Sequence, residues 1–152
     1  MRDMLLSILL QDLPESFILT LACFSFLCLR WDWRKISVIT GLMTLTNLIR
    51  LLPIAFGVHT VILLVFLAIY LNYFTKVPMS KTISAAVICL IIIASMQIAY
   101  LGPLFKVTGL SSEQALSSPV TRSLFCLPYF IVLLTAAFFK NRYNYRNRKF
   151  ID

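Results

Sequence analysis

The sequence predicts an all-α polytopic membrane protein of about five transmembrane helices, with the N-terminus outside and the C-terminus in the cytoplasm. Three observations predict it. Of the 152 residues, 60% are hydrophobic and only 13% charged, at a mean hydropathy of +0.88. Charges and prolines cut the apolar sequence into five stretches, close to the roughly 20 residues a helix needs to cross ~30 Å of hydrocarbon. Lysine and arginine are concentrated in alternate connections, which marks one side of the membrane. A water-soluble enzyme with a polar active site or a glycine-rich phosphate loop is disfavoured, because the chain has 6 acidic residues, 1 histidine and 4 glycines.

The first span is expected at 13–29, and the preceding MLLSILL (4–10) either extends it or lies along the interface. Pro14 is tolerable at a helix start. The second span, 36–56, ends around Pro53 and Gly57, and the third, 58–74, follows after a tight turn and forms a hairpin with it. The fourth, 82–101, contains the uninterrupted AAVICLIIIA. The fifth, 124–139, holds Pro128, which is expected to kink it. Residues 1–140 then form a membrane bundle and 141–152 a basic cytoplasmic tail. A β-barrel needs alternating polar and apolar positions, whereas these runs are apolar on every side. The N-terminal apolar run meets Gln11 and Asp12 without a small-residue cleavage site, so the N-terminus reads as mature.

Orientation follows from the basic residues of the connections. Ten lie on one side: Arg30, Arg34, Lys35, Lys76, Lys81, Lys140, Arg142, Arg146, Arg148 and Lys149. Three lie on the other, Arg2, Lys106 and Arg122, and Arg50 falls inside a span. Trp31, Trp33, Tyr143 and Tyr145 are expected at the headgroup layer, where amphipathic rings are favoured. The net charge of +8 orients the chain and attracts anionic lipid. The basic tail, with Lys140, Arg142, Arg146, Arg148 and Lys149, is therefore read as a membrane-surface segment and not as a nucleic-acid site.

Polar residues inside apolar segments require partners. An arginine at a helix centre costs roughly 2.5 to 3.5 kcal/mol on insertion scales. Arg50 has Asn47 one turn below it on the same face, and Asp12 and Glu15 at the outer end of the first span are its natural counter-ions. With His59 in the outer turn FGVHT, these residues define a candidate ligand or signal cluster. A structural ion pair, an arginine snorkelling outward and a plain polar turn histidine are the alternatives. The outer connection 102–123 has the residues of a surface-lying helix: Ser111 or Ser112 as cap, Glu113 and Gln114 in its first turn, Ser118 and Pro119 to end it. It is either a lid over an outward cavity or a simple connector. Asn72 and Gln97 are expected to hydrogen-bond between helices. Cys23, Cys28, Cys89 and Cys126 have no metal-ligand spacing and are read as small apolar residues, so no metal or cofactor is expected.

No HExxH, no GxSG and no neighbouring histidine and cysteine appear, so a non-catalytic role is expected. The acids lie at the outer end and glycines are scarce, which disfavours a complete coupled transporter. A subunit or substrate-binding component of a larger transporter or channel remains the alternative. The succession QDLPESFILTLACFSFLCLRWDWRK, NLIRLLPIAFGVHT, the basic KVP turn and GPLFKVTGLSSEQALSSPVTRSLFCLPY, with Pro14, Glu15, Pro53, Gly57, His59 and Pro128, resembles the membrane sensor region of Gram-positive bacterial histidine kinases of the sporulation and quorum-sensing type. The resemblance covers nearly the whole chain. It implies a bundle in the bacterial inner membrane that senses a peptide, lipid or other envelope signal and passes a movement to a cytoplasmic helix. No phosphoacceptor histidine region or ATP-binding domain follows the fifth span, so signalling would need a protein partner or a homo-oligomer in addition to membrane lipids.

Overall fold

The computed structural model describes residues 12–48, 58–109 and 119–150. Among them the chain is all-α, with five helices: α1 Leu13–Phe26, α2 Trp33–Thr46, α3 Val58–Thr75, α4 Met79–Thr108 and α5 Pro119–Arg146. One of them, α4, holds a stretch, Met79–Tyr100, long and apolar enough to cross a membrane; Leu13–Phe26 and Val61–Thr75 are shorter apolar helices.

Each boundary has a local cause. At the start of α1, Pro14 occupies the first turn, where its missing N–H is no loss, and Glu15 complements the positive helix end. The helix closes in a Schellman motif: the Leu29 N–H donates to Phe24 O at 2.9 Å and the Cys28 N–H to Ser25 O at 3.2 Å, with Cys28 at φ 56. That closure ends α1 at Phe26, short of the expected 29. α2 begins at Trp33, earlier than the expected 36, because Asp32 acts as N-cap and accepts from the Arg34 N–H at 3.1 Å. The remainder of the expected second span, with Pro53 and Gly57, lies outside the described residues, as does 4–10.

The α3–α4 turn is tight. Lys76 takes φ 57 and its N–H donates to Asn72 O at 2.8 Å, while the Asn72 side-chain amide donates to Val77 O at 2.7 Å. Asn72 thus clamps this turn and does not join two helices across a face. α4 runs past the expected end at 101, through Gly102 and Pro103. A proline removes a single backbone hydrogen bond, which leaves the other bonds of the turn in place. The helix stops at Gly109, whose φ of 65 suits a residue without Cβ. α5 starts at Pro119, before the expected 124, and continues to Arg146. The expected tail is therefore helical through its first residues, because Asn141 and Asn144 on this extension are buried. The outer connection shrinks accordingly, and Ser111, Ser112, Glu113, Gln114 and Ser118 lie outside the described residues.

Packing centres on α1, which touches α2, α4 and α5; contacts α2–α3, α3–α4 and α4–α5 complete a closed ring. The core gathers Leu21, Phe24, Ile36, Ile39, Met43, Leu67, Leu71 and Leu133. α4 runs opposite to α1: Ile18 shares a cluster with Ile93 and Met96, whereas Cys23 meets Cys89 further on. α5 runs parallel to α1, since Asn144 near its end reaches Ser25 near the end of α1. These directions match an alternating bundle. α2 fits as well: just before its start Trp31 bonds Ser25 near the end of α1, while Asn47 at its end bonds Ser16, and the Trp33 ring reaches back to stack on Phe17 with centroids 6.5 Å apart.

Polar groups are buried among the apolar core, and large apolar side chains are exposed on the helix faces. Buried polar groups include Ser16, Thr20, Ser25, Thr40, Thr46, Asn47, Thr82 and Asn144, whereas Val61, Val65, Ile69, Ile91, Ile98, Ile131, Phe138 and Phe139 are exposed. Several helix hydroxyls are satisfied by the carbonyl four residues back, as for Thr20 to Ser16 O at 2.8 Å, Thr46 to Leu42 O at 2.8 Å and Thr135 to Ile131 O at 2.6 Å, whereas Thr40 Oγ1 is buried without a hydrogen-bond partner among the described residues. The bonds to carbonyls need no water.

Candidate functional site

Two polar clusters sit at opposite ends of α1. The first begins with Asp12, Ser16 and Thr20, spaced four apart and buried, which draws a polar stripe along one face of an apolar helix. The stripe meets the end of α2, where the Asn47 amide donates to Ser16 Oγ at 3.1 Å. Next to Asn47, Thr46 Oγ1 gives its proton to Leu42 O, so in its 3.1 Å contact with Tyr70 the phenol is the donor. Three helices are joined here through side-chain polar groups. Of the sequence-predicted cluster, Asp12, Glu15 and Asn47 are described, with Glu15 in the first turn of α1. Arg50 lies outside the described residues. His59 falls in the first turn of α3, and its side chain is likewise outside the described set.

The second cluster closes the other end of α1. Ser25 O accepts the Asn144 amide at 2.8 Å, so α5 caps the exposed carbonyls of α1. The Cys28 thiol donates to Asn144 Oδ1 at 3.6 Å, and the Trp31 ring N–H donates to Ser25 Oγ at 3.1 Å. Trp31 is thereby tied into the bundle, while Trp33 is exposed and stands edge-to-face with it at 5.9 Å. Around this joint stand the basic residues. Lys140 and Lys149 hold their ammonium groups 5.4 and 5.6 Å from the Tyr143 ring, and Arg142, Arg146 and Arg148 are exposed. Arg146 also complements the negative end of α5.

Sequence reasoning missed Ser16, Thr20, Thr46 and Tyr70 at one end and Ser25, Cys28, Trp31 and Asn144 at the other. The four-residue spacing of Asp12, Ser16 and Thr20 was a readable cue. So was the i, i+3 pair Asn141 and Asn144, had the helix been carried past Phe139.

Between the clusters, Cys23 and Cys89 face each other across α1 and α4, Sγ to Sγ 3.7 Å, both thiols free. A membrane-permeant oxidant such as diamide is expected to join them, the two thiol hydrogens and two electrons passing to its N=N bond as it is reduced to the hydrazine. Peptide mapping should recover the Cys23–Cys89 link ahead of any involving Cys126. Preferential linkage elsewhere would show that α1 and α4 do not meet as described. Among the described residues no group of three or more His, Cys, Asp or Glu could hold a metal ion.

Compared with known proteins, the chain matches no family model, no curated protein and no solved structure.

Proposed function

We propose that the chain is a multi-pass protein of the bacterial inner membrane and acts as a non-catalytic sensor or interaction subunit, coupling its outer face to a cytoplasmic partner. The exposed apolar surface supports the membrane placement: large apolar side chains face outward on α3, α4 and α5, while Ser16, Ser25, Asn47 and Asn144 are hydrogen-bonded inside. In water a contiguous apolar exterior of this kind would be a site of association; in lipid it is the ordinary exterior.

One observation carries the coupling. α1 holds both polar clusters, Ser16 with Asn47 toward the outside and Ser25 with Asn144 toward the cytoplasm, nine residues or ~14 Å apart. A ligand that competes for Asn47 at one end displaces the same helix whose other end is capped by α5. The basic end of α5 then moves with it. A sensor region such as that of the histidine kinases would work in this way.

Reporter fusions test the placement. Alkaline phosphatase joined after Gly109 should be active, and green fluorescent protein joined after Phe150 should fluoresce; the reverse pattern would overturn the orientation. For the coupling, the tagged protein should bring down a kinase or other signalling chain in stoichiometric amount from mild detergent. Recovery of a transport ATPase or permease in its place would favour a transporter subunit, and recovery of the chain alone would remove the partner from the mechanism.

A further inference from the structure

The second cluster borders an open cleft of about 250 Å³ lined by Arg30, Tyr145, Arg148 and Phe150. Two arginines from distant parts of the sequence line it, one from the connection that follows α1, the other from the turn that ends α5. The backbone of that turn is well defined: the Lys149 N–H donates to Asn144 O at 3.0 Å and Arg148 sits at φ 48, the left-handed position of a Schellman motif. The Tyr145 ring is set edge-on against Phe150, centroids 4.6 Å apart, which gives the cleft an aromatic wall with a phenol that can donate.

Among the described residues the charge there is positive on balance. Each helix C-terminus contributes about −0.5 of a charge, and two meet at this end of the molecule. Against them stand the two arginines of the cleft and the nearby Lys140 and Lys149. Asp32, an acid of the same connection, is engaged by the Arg34 N–H at 3.1 Å and lies 4.0 Å from the Lys35 ammonium. The volume is below the roughly 300 Å³ at which drug-sized pockets begin, so it suits a small anionic group. Guanidinium forks match phosphate oxygens in geometry as well as charge.

We propose that this cleft binds one phosphate ester, held between Arg30 and Arg148 with Tyr145 as a further donor. The proposal rests on the membrane reading for its most available source, the headgroup of an anionic phospholipid in the cytoplasmic leaflet, but the same chemistry would hold a soluble phosphate ester. A lipid seated there would bridge the end of α1 to the end of α5, at the joint that Asn144 already makes.

Native mass spectrometry of the detergent-purified chain tests it, with phosphatidylglycerol, phosphatidylcholine and glycerol 1-phosphate as the probes. Wild type should retain one phosphatidylglycerol in preference to phosphatidylcholine. Arg148→Gly is the informative variant, because glycine suits φ 48 and keeps the turn while removing the guanidinium. It and Arg30→Gln should each weaken retention about tenfold, and Arg142→Gln, which does not line the cleft, should not. Binding of glycerol 1-phosphate with the same dependence on Arg30 and Arg148 would support the site and identify the soluble ester as sufficient; retention of the lipid alone would support it with the headgroup as source. Equal retention by wild type, Arg30→Gln and Arg148→Gly, or no retention of any phosphate probe, would overturn it. Failure of the membrane reading would appear in the reporter fusions instead, and would leave arginine-dependent binding of glycerol 1-phosphate intact.

Discussion

Asn144→Asp is expected to destabilise the protein by about 3 kcal/mol or more at pH 8, and to recover as the pH falls. The substitution is nearly isosteric. It replaces the amide that donates to Ser25 O at 2.8 Å with an oxygen facing another oxygen, at a residue with no solvent exposure. Burial disfavours the charged carboxylate, so the folded-state pKa of the new aspartate should stand above its unfolded value of about 3.9. A group raised in this way stabilises the fold when protonated, below the unfolded pKa, and that contribution is lost as pH rises through the folded one. The protonated acid can also donate to Ser25 O. Asn144→Leu should cost only about 1 kcal/mol with no pH dependence, because Ser25 O keeps its bond to the Cys28 N–H at 3.2 Å. Thermal unfolding in detergent at pH 8 and pH 5 separates the two. An aspartate variant as stable as wild type at both would mean that α5 does not cap α1.

The second large effect is expected at Phe24. Its side chain is 1% exposed in the core cluster on the helix that touches three others. Phe24→Ala should cost about 3 to 5 kcal/mol, combining lost contacts with the cavity left behind. Denaturant titration of the purified protein measures it. A cost below about 1 kcal/mol would indicate that the cluster around α1 repacks freely. The comparison with Asn144→Leu is informative by size: in a bundle whose interior polar groups contribute little individually, shape complementarity should carry more of the stability than hydrogen bonding.

Helix number and approximate positions were legible because long apolar runs broken by charge and proline admit few other readings. α3 and α4 follow the expected spans closely at their hairpin, where Lys76, Val77 and Pro78 separate them. The ends were less legible. Cys28 and Arg148 close helices in a conformation usually given to glycine, so neither announces a stop, and Gly102 with Pro103, which do announce one, lie inside α4. The predicted polar cluster was legible in part: Asn47 does meet the first turn of α1, but through Ser16, a residue too ordinary to single out.

Composition and periodicity by themselves determined that this chain is helical with long apolar stretches, because those properties sum over local windows and do not depend on which segments meet. Tertiary structure alone decided that α1 is the hub and that residues 116 and 119 apart in sequence form a joint between Asn144, Cys28 and Ser25. Apolar helix surfaces are nearly interchangeable as partners. The choice among them is made by a few buried polar groups and by shape, and neither leaves a period in the sequence.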